Sequence, residues 1–115
     1  MNEDICWGER NPQETEALKC LVDAEACLGI AMANGSVELY LRALECSEKV
    51  IEYFPRCATA HYFVGFARLK IKGDQIFAKH KIDLLQSFKS DDADALATRL
   101  KDELERTRAV SNMAE

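Results

Sequence analysis

The sequence predicts an all-α fold, an antiparallel helix-turn-helix array of about five helices. Three observations lead to that expectation. A segment occurs twice: Ala24-Glu25-Ala26-Cys27-Leu28-Gly29-Ile30-Ala31 aligns with Ala60-His61-Tyr62-Phe63-Val64-Gly65-Phe66-Ala67, so that the two glycines stand 36 residues apart. Each copy is followed by a glycine turn, Asn34-Gly35-Ser36 or Lys72-Gly73-Asp74, and then by an amphipathic run carrying a small residue, Ala43 or Ala78. Self-similarity at such a period is the mark of a helical repeat. The 115-residue chain is also 48% hydrophobic and rich in good helix formers, and its two prolines and five glycines sit mostly where turns are expected.

Each element follows from local signals. Residues 1–11 read as an irregular N-terminal segment. Asn11-Pro12-Gln13-Glu14 is a helix start: Asn11 is placed to cap free amides, Pro12 suits the first helical position, and Glu14 stands where a capping box puts its acid. The first helix is predicted over about 12–33, with Ala17, Leu21, Ala24, Leu28 and Ala31 forming one stripe at spacings of three and four. Gly35 ends it through a left-handed turn. The second helix runs over about 37–54, with Leu41, Leu44, Ser47, Val50, Ile51 and Phe54 inward, and Pro55 stops it. The third covers about 58–72, up to Gly73-Asp74. The fourth covers about 75–88, with Phe77, Ala78, Ile82 and Leu85 inward. Ser90-Asp91-Asp92 offers N-caps for a fifth helix over about 92–108, whose narrow stripe is Ala93, Leu96, Leu100 and Leu104. Residues 109–115 are expected to fray. Residues 12–108 thus form one domain, with units at about 15–55 and 58–90 and a terminal capping helix.

This pattern resembles the tetratricopeptide repeat family, as two divergent repeats plus a capping helix. Gly29 and Gly65 match the small residue in the middle of that family's helix A, where helix B approaches closely. Leu28 and Val64 match the large apolar position before it, Ala43 and Ala78 the small residue early in helix B, and Pro55 the closing proline. A mid-helix glycine costs roughly 1 kcal/mol against alanine, so a packing reason is expected at both positions. Departures from the pattern are Glu25 and His61 where an aromatic is usual, and Asp91-Asp92 where the second unit would close on proline.

The resemblance implies a protein-protein interaction module, an adaptor or chaperone-like protein, whose A helices line a concave apolar groove for a helix or peptide. The glycine register places Asp23, Ala26, Ile30 and Ala33 in that groove from the first unit, and Thr59, Tyr62, Phe66, Leu69 and Lys70 from the second. Ala26, Ile30, Tyr62, Phe66, Leu69 and Lys70 are the partner-binding candidates, with Tyr62 and Phe66 as anchors. On this reading Phe66→Ala weakens partner binding without unfolding the protein. Cys6 and Trp7 folding back, or a homodimer, are the other ways to cover such a patch. The resemblance also implies that no carboxylate clamp is present, since Lys and Asn are absent from Ala26, Ile30, Tyr62 and Phe66.

Charge and cysteine usage bound the remaining readings. The net charge is −5, but residues 1–55 carry four basic and eleven acidic side chains, and residues 68–89 carry six basic and two acidic ones. The segment Arg68 to Lys89 is therefore either a solvated helix face or the footprint of the alternative function, a small regulator binding nucleic acid or an acidic partner. A sequence pI of about 5.1 argues against a polyanion binder. Five scattered cysteines with no CxxC fit reduced thiols and a cytoplasmic setting. Cys20 and Cys27, two turns apart, are separated by a rise of about 10.5 Å, too far for a disulfide within one helix. Cys57 and His61 share a helix face, but two ligands do not make a zinc site. They also lack the nucleophile turn and oxyanion donors of an enzyme. No cofactor, metal, catalytic group, membrane span or secretion signal is expected.

Overall fold

A computed structural model describes residues 12–113 of the chain, with side-chain environments over 14–109. Five helices follow one another: α1 (Pro12–Asn34), α2 (Val37–Tyr53), α3 (Ala58–Lys72), α4 (Gln75–Ser87) and α5 (Asp91–Met113). The chain is all-α and no strand occurs among the described residues. The Asn11 cap and the Cys6-Trp7 pair lie outside the described residues.

Short polar turns set the boundaries. At the α1–α2 turn Gly35 adopts φ 72° and donates its N–H to Ala31 O at 2.6 Å. Ser36 then caps α2, its Oγ accepting the Leu39 N–H at 3.3 Å. Gly73, φ 65°, closes α3 in the left-handed conformation. Asp74 caps α4 by accepting the Phe77 N–H at 3.1 Å, and is itself held by Arg68 at 2.8 Å. Ser90 Oγ accepts the Ala93 N–H at 3.1 Å, so Ser90 is the residue that starts α5. The helix it starts runs on to Met113, into the 109–115 tail expected to fray.

The α4–α5 turn places Lys89 at φ 55°, a left-handed conformation that favours glycine. Lys89→Gly is expected to raise stability by about 0.5–1 kcal/mol in urea unfolding, because it relieves that backbone cost at an exposed position.

Successive helices pair, giving the hairpins α1–α2 and α3–α4, with α5 laid against α4 and α3. α1 also touches α3, so α1, α3 and α5 are neighbours along one side of the array. α3 is central and packs on all four other helices, which is why eight of its fifteen residues are buried. The core joins Ala24, Leu28 and Ala31 of α1 to Ala43 of α2, Val64 and Ala67 of α3, Ala78 and Leu85 of α4, and Ala93, Leu100 and Leu104 of α5. The aligned pairs Ala24 and Ala60, Leu28 and Val64, and Ala31 and Ala67 are all buried, so the repeat seen in the sequence is a repeat of the core-facing stripe.

Three details differ from expectation. Tyr40 faces the core of α2, while its neighbour Leu41 is 42% exposed; the stripe of α2 is Tyr40, Ala43, Ser47 and Val50. Phe77 is only half-buried, its ring covered by the Arg68 guanidinium at 3.9 Å. The third concerns the glycines. A side chain at Gly65 would stand 2.9 Å from Leu100 Cδ2 and 3.2 Å from Lys81 Cβ, whereas one at Gly29 would meet no other element within 4 Å among the described residues. Close helix approach explains Gly65 and does not explain Gly29.

Candidate functional site

A groove of about 430 Å³ opens between the three neighbouring helices α1, α3 and α5. α1 contributes Glu25, Leu28, Gly29 and Met32. α3 contributes Tyr62, Phe63 and Phe66. α5 contributes Arg99, Asp102, Glu103 and Arg106. The floor is aromatic: the Tyr62 ring lies 5.8 Å from Phe66 and 5.9 Å from Phe63. Met32, 57% exposed, is the apolar side chain most open to an incoming group.

The wall on α5 is organised around Glu103. Its carboxylate accepts from Arg106 Nη1 at 2.7 Å and pairs with Lys70, which also stands 5.5 Å from the Phe66 ring centre. Burial acts to raise the Glu103 carboxyl, but the hydrogen bonds and charges of Lys70 and Arg106 outweigh it and hold the group below its ordinary range. Burial pushes the Tyr62 phenol up, with Arg99 opposing and Glu103 reinforcing. The groove thus combines an aromatic floor with a rim bearing both signs of charge. That suits an amphipathic segment better than a uniformly charged ligand.

The predicted site residues fall in four places. Tyr62 and Phe66 line the groove, yet Phe66 is 3% exposed and packs on Tyr40 as well as Tyr62, so it is a core residue that shows only an edge. Leu69, 2% exposed, is wholly core, and Lys70 serves the wall through Glu103. Ala26 and Ile30 are exposed, Ile30 to 53%, but are not among the groove's lining; the α1 positions that face it are Glu25, Gly29 and Met32. Phe66→Ala is consequently expected to act on folding as well as on binding. Of the positions that the glycine register assigned to α3, Tyr62 and Phe66 line this groove, and of those it assigned to α1 none does. The register also missed Glu103, an acid buried to 7% exposure whose partner Lys70 is 33 residues away in sequence.

A second hollow, about 710 Å³ and more apolar, lies beside Leu18 and Leu21 of α1, Val50 and Tyr53 of α2 and the Phe54–Cys57 turn. It draws on fewer charged groups, Arg56 alone, and so carries less information about a ligand.

The other candidates resolve into structural roles. His61 Nε2 donates to Pro55 O at 2.7 Å and its Nδ1 accepts from Lys81 Nζ at 2.9 Å, so the ring is fully engaged away from Cys57. Three of the six basic residues of the 68–89 segment are tied up: Arg68 by Asp74, Lys70 by Glu103 and Lys81 by His61. Cys20 is buried, and Cys27, Cys46 and Cys57 are half-buried and unbridged. Burial raises the Cys46 thiol, and Cys20 and Cys27 raise it further, the opposite of an activated nucleophile. Among the described residues no group of three or more His, Cys, Asp or Glu side chains is arranged to hold a metal ion, and no helix is long and apolar enough to cross a membrane. Comparison of the chain with protein-family models, with curated proteins and with solved structures finds no match.

Proposed function

We propose that this chain is a cytoplasmic protein-protein interaction module built from two divergent tetratricopeptide-like units and a capping helix. It would bind an amphipathic helix or short peptide in the groove between α1, α3 and α5, as an adaptor or chaperone-like protein. The observation that carries this reading is Gly29. A glycine in mid-helix costs roughly 1 kcal/mol, no other element among the described residues comes within 4 Å of the space its side chain would fill, and that space opens into the groove. Bare helix backbone beside Met32 and Tyr62 lets a ligand approach more closely than any side chain would allow.

Affinity would come from apolar contact with Met32, Leu28 and Tyr62, and orientation from Arg99 and Asp102 on the rim. The test is selection of helical peptides from a display library, followed by fluorescence anisotropy of the labelled winners. Met32→Glu is expected to weaken binding at least tenfold, about 1.4 kcal/mol, with unchanged circular dichroism. Val37→Glu, at a position 54% exposed outside the groove, should bind as the parent does. Equal binding by both variants, or a library that yields no ligand, would rule the groove out.

A further inference from the structure

α1 is apolar on two opposed faces. One is the core stripe of Ala17, Ala24, Leu28 and Ala31. On the other side stand Val22, Ala26, Ile30 and Ala33, all exposed, Val22 to 65% and Ile30 to 53%. On a helical projection these four fall within about 80° of one another, and the only charge among them is Lys19. A helix with apolar groups on both sides belongs in the interior of an array. Here, among the described residues, α1 packs chiefly on α2 and α3 and this outer side stays exposed. The face is distinct from the groove, which α1 lines with Glu25, Gly29 and Met32.

We infer that the outer face of α1 pairs with the same face of a second copy of this chain, helix against antiparallel helix, about a two-fold axis passing near Ala26. The pattern is its own complement. Val22 and Ile30 stand four residues to either side of Ala26, so rotation about that point sets each Val22 against Ile30 of the second copy. The small Ala26 on the axis lets the helices approach to about 8 Å, the near end of the usual range. Lys19, the one charge in the stripe, comes opposite Ala33 of the second copy and not opposite its own mate, so no like charges oppose. An unrelated partner would not require this symmetry; a two-fold interface requires the same patch to fit itself.

The size of the face sets the strength. From Lys19 to Ala33 the stripe is about 21 Å long, and one such helix-helix contact buries less than the ~800 Å² per partner of a standard interface. The dimer is therefore reversible and builds with concentration. It leaves both grooves open and makes the pair bivalent.

Sedimentation of the full chain over a series from low to high micromolar tests this. The average mass should rise toward that of a dimer for the parent protein. Ile30→Glu and Val22→Lys, both at exposed positions, should weaken association at least tenfold with unchanged circular dichroism. Ala26→Cys, oxidised with diamide, should give a covalent dimer beyond the background of the parent's own thiols, and Thr15→Cys should not. A parent that stays monomeric throughout, variants that associate as well as the parent, or crosslinking at Thr15→Cys in place of Ala26→Cys would each overturn the inference.

Discussion

Gly65→Val is expected to cost about 3 kcal/mol of folding stability and Gly65→Ala about 1 kcal/mol, whereas Gly29→Ala is expected to add about 1 kcal/mol. The contrast follows from what each Cβ would meet. At Gly65 it would stand 2.9 Å from Leu100 Cδ2 and 3.2 Å from Lys81 Cβ. Leu100 is fully buried, so moving its methyl group disturbs the packed core around it, and Lys81 Cβ is fixed to the α4 backbone. Making room takes a repacked Leu100 and a wider spacing of α3 from α4. Alanine recovers about 1 kcal/mol of helix propensity but meets an overpacking cost of about 1–3 kcal/mol. Valine adds two methyl groups and a restricted χ1. At Gly29 the propensity gain comes with no clash. Urea unfolding of the three variants reads the signs directly. A Gly65→Ala protein more stable than its parent would mean that the α3–α4–α5 junction has slack, and that close approach is not why glycine is there. If the groove reading is right, Gly29→Ala should also bind its peptide less well while folding better, the trade expected where a local cost serves a site.

The same two glycines show how far the sequence could be read. The core-facing stripes of α1 and of the repeated segment in α3 were legible because they depend only on spacing along one helix, whereas in α2 the stripe is turned to Tyr40 and Ala43, leaving Leu41 exposed. Ala24, Leu28 and Ala31 pair with Ala60, Val64 and Ala67, and every one of them is buried. Helix ends were legible because Gly35, Pro55, Gly73 and Ser90 act locally. What one helix presents to a helix two elements away was not legible, since that depends on how far each helix is rotated about its own axis. Hence Glu25, Gly29 and Met32 line the groove where Ala26 and Ile30 were expected. Nor does a stripe reveal how many neighbours surround a helix. α3 is enclosed by four others, which turned Phe66 and Leu69 from groove residues into core. Buried polar groups were the least legible. Glu103 and His61 are inside because Lys70, Arg106, Lys81 and the Pro55 carbonyl meet them there, and no local pattern announces such partners.

His61→Ala is expected to cost about 3 kcal/mol, and the parent protein is expected to lose stability in acid through this residue. The ring is 5% exposed. Pro55 O can only accept, so Nε2 carries the proton and Nδ1 offers its lone pair to Lys81 Nζ at 2.9 Å. The neutral ring is thus satisfied at both nitrogens, and it also meets the Phe88 ring edge-on at 5.8 Å. Truncation opens a ring-sized cavity and leaves the Pro55 carbonyl and the Lys81 ammonium without this partner, which together suggest about 3 kcal/mol. Protonation would turn Nδ1 into a second donor aimed at an ammonium group. The Arg56 guanidinium lies over Phe88 at 4.6 Å, Arg68 and Glu48 act on Lys81, and no carboxylate bonds the ring itself. Burial lowers the His61 pKa below its ordinary 6.5 and Lys81 lowers it further, against the opposing hydrogen bond to Pro55. The unfolded chain therefore takes up this proton at a higher pH than the folded one. The contribution is complete above about pH 6.5 and is lost as the pH falls below that value. Glu103, held below its ordinary 4.5, adds a second loss at lower pH, where its pairs with Lys70 and Arg106 are protonated away. Melting temperatures from pH 8 to pH 4 for the parent and for His61→Gln, whose amide can donate to Pro55 O and accept from Lys81, separate the two steps. The parent's curve should begin to fall below about pH 6.5 and steepen in the carboxylate range, whereas the variant should keep only the second fall. Parallel curves would show that the buried imidazole is not the group that senses acid.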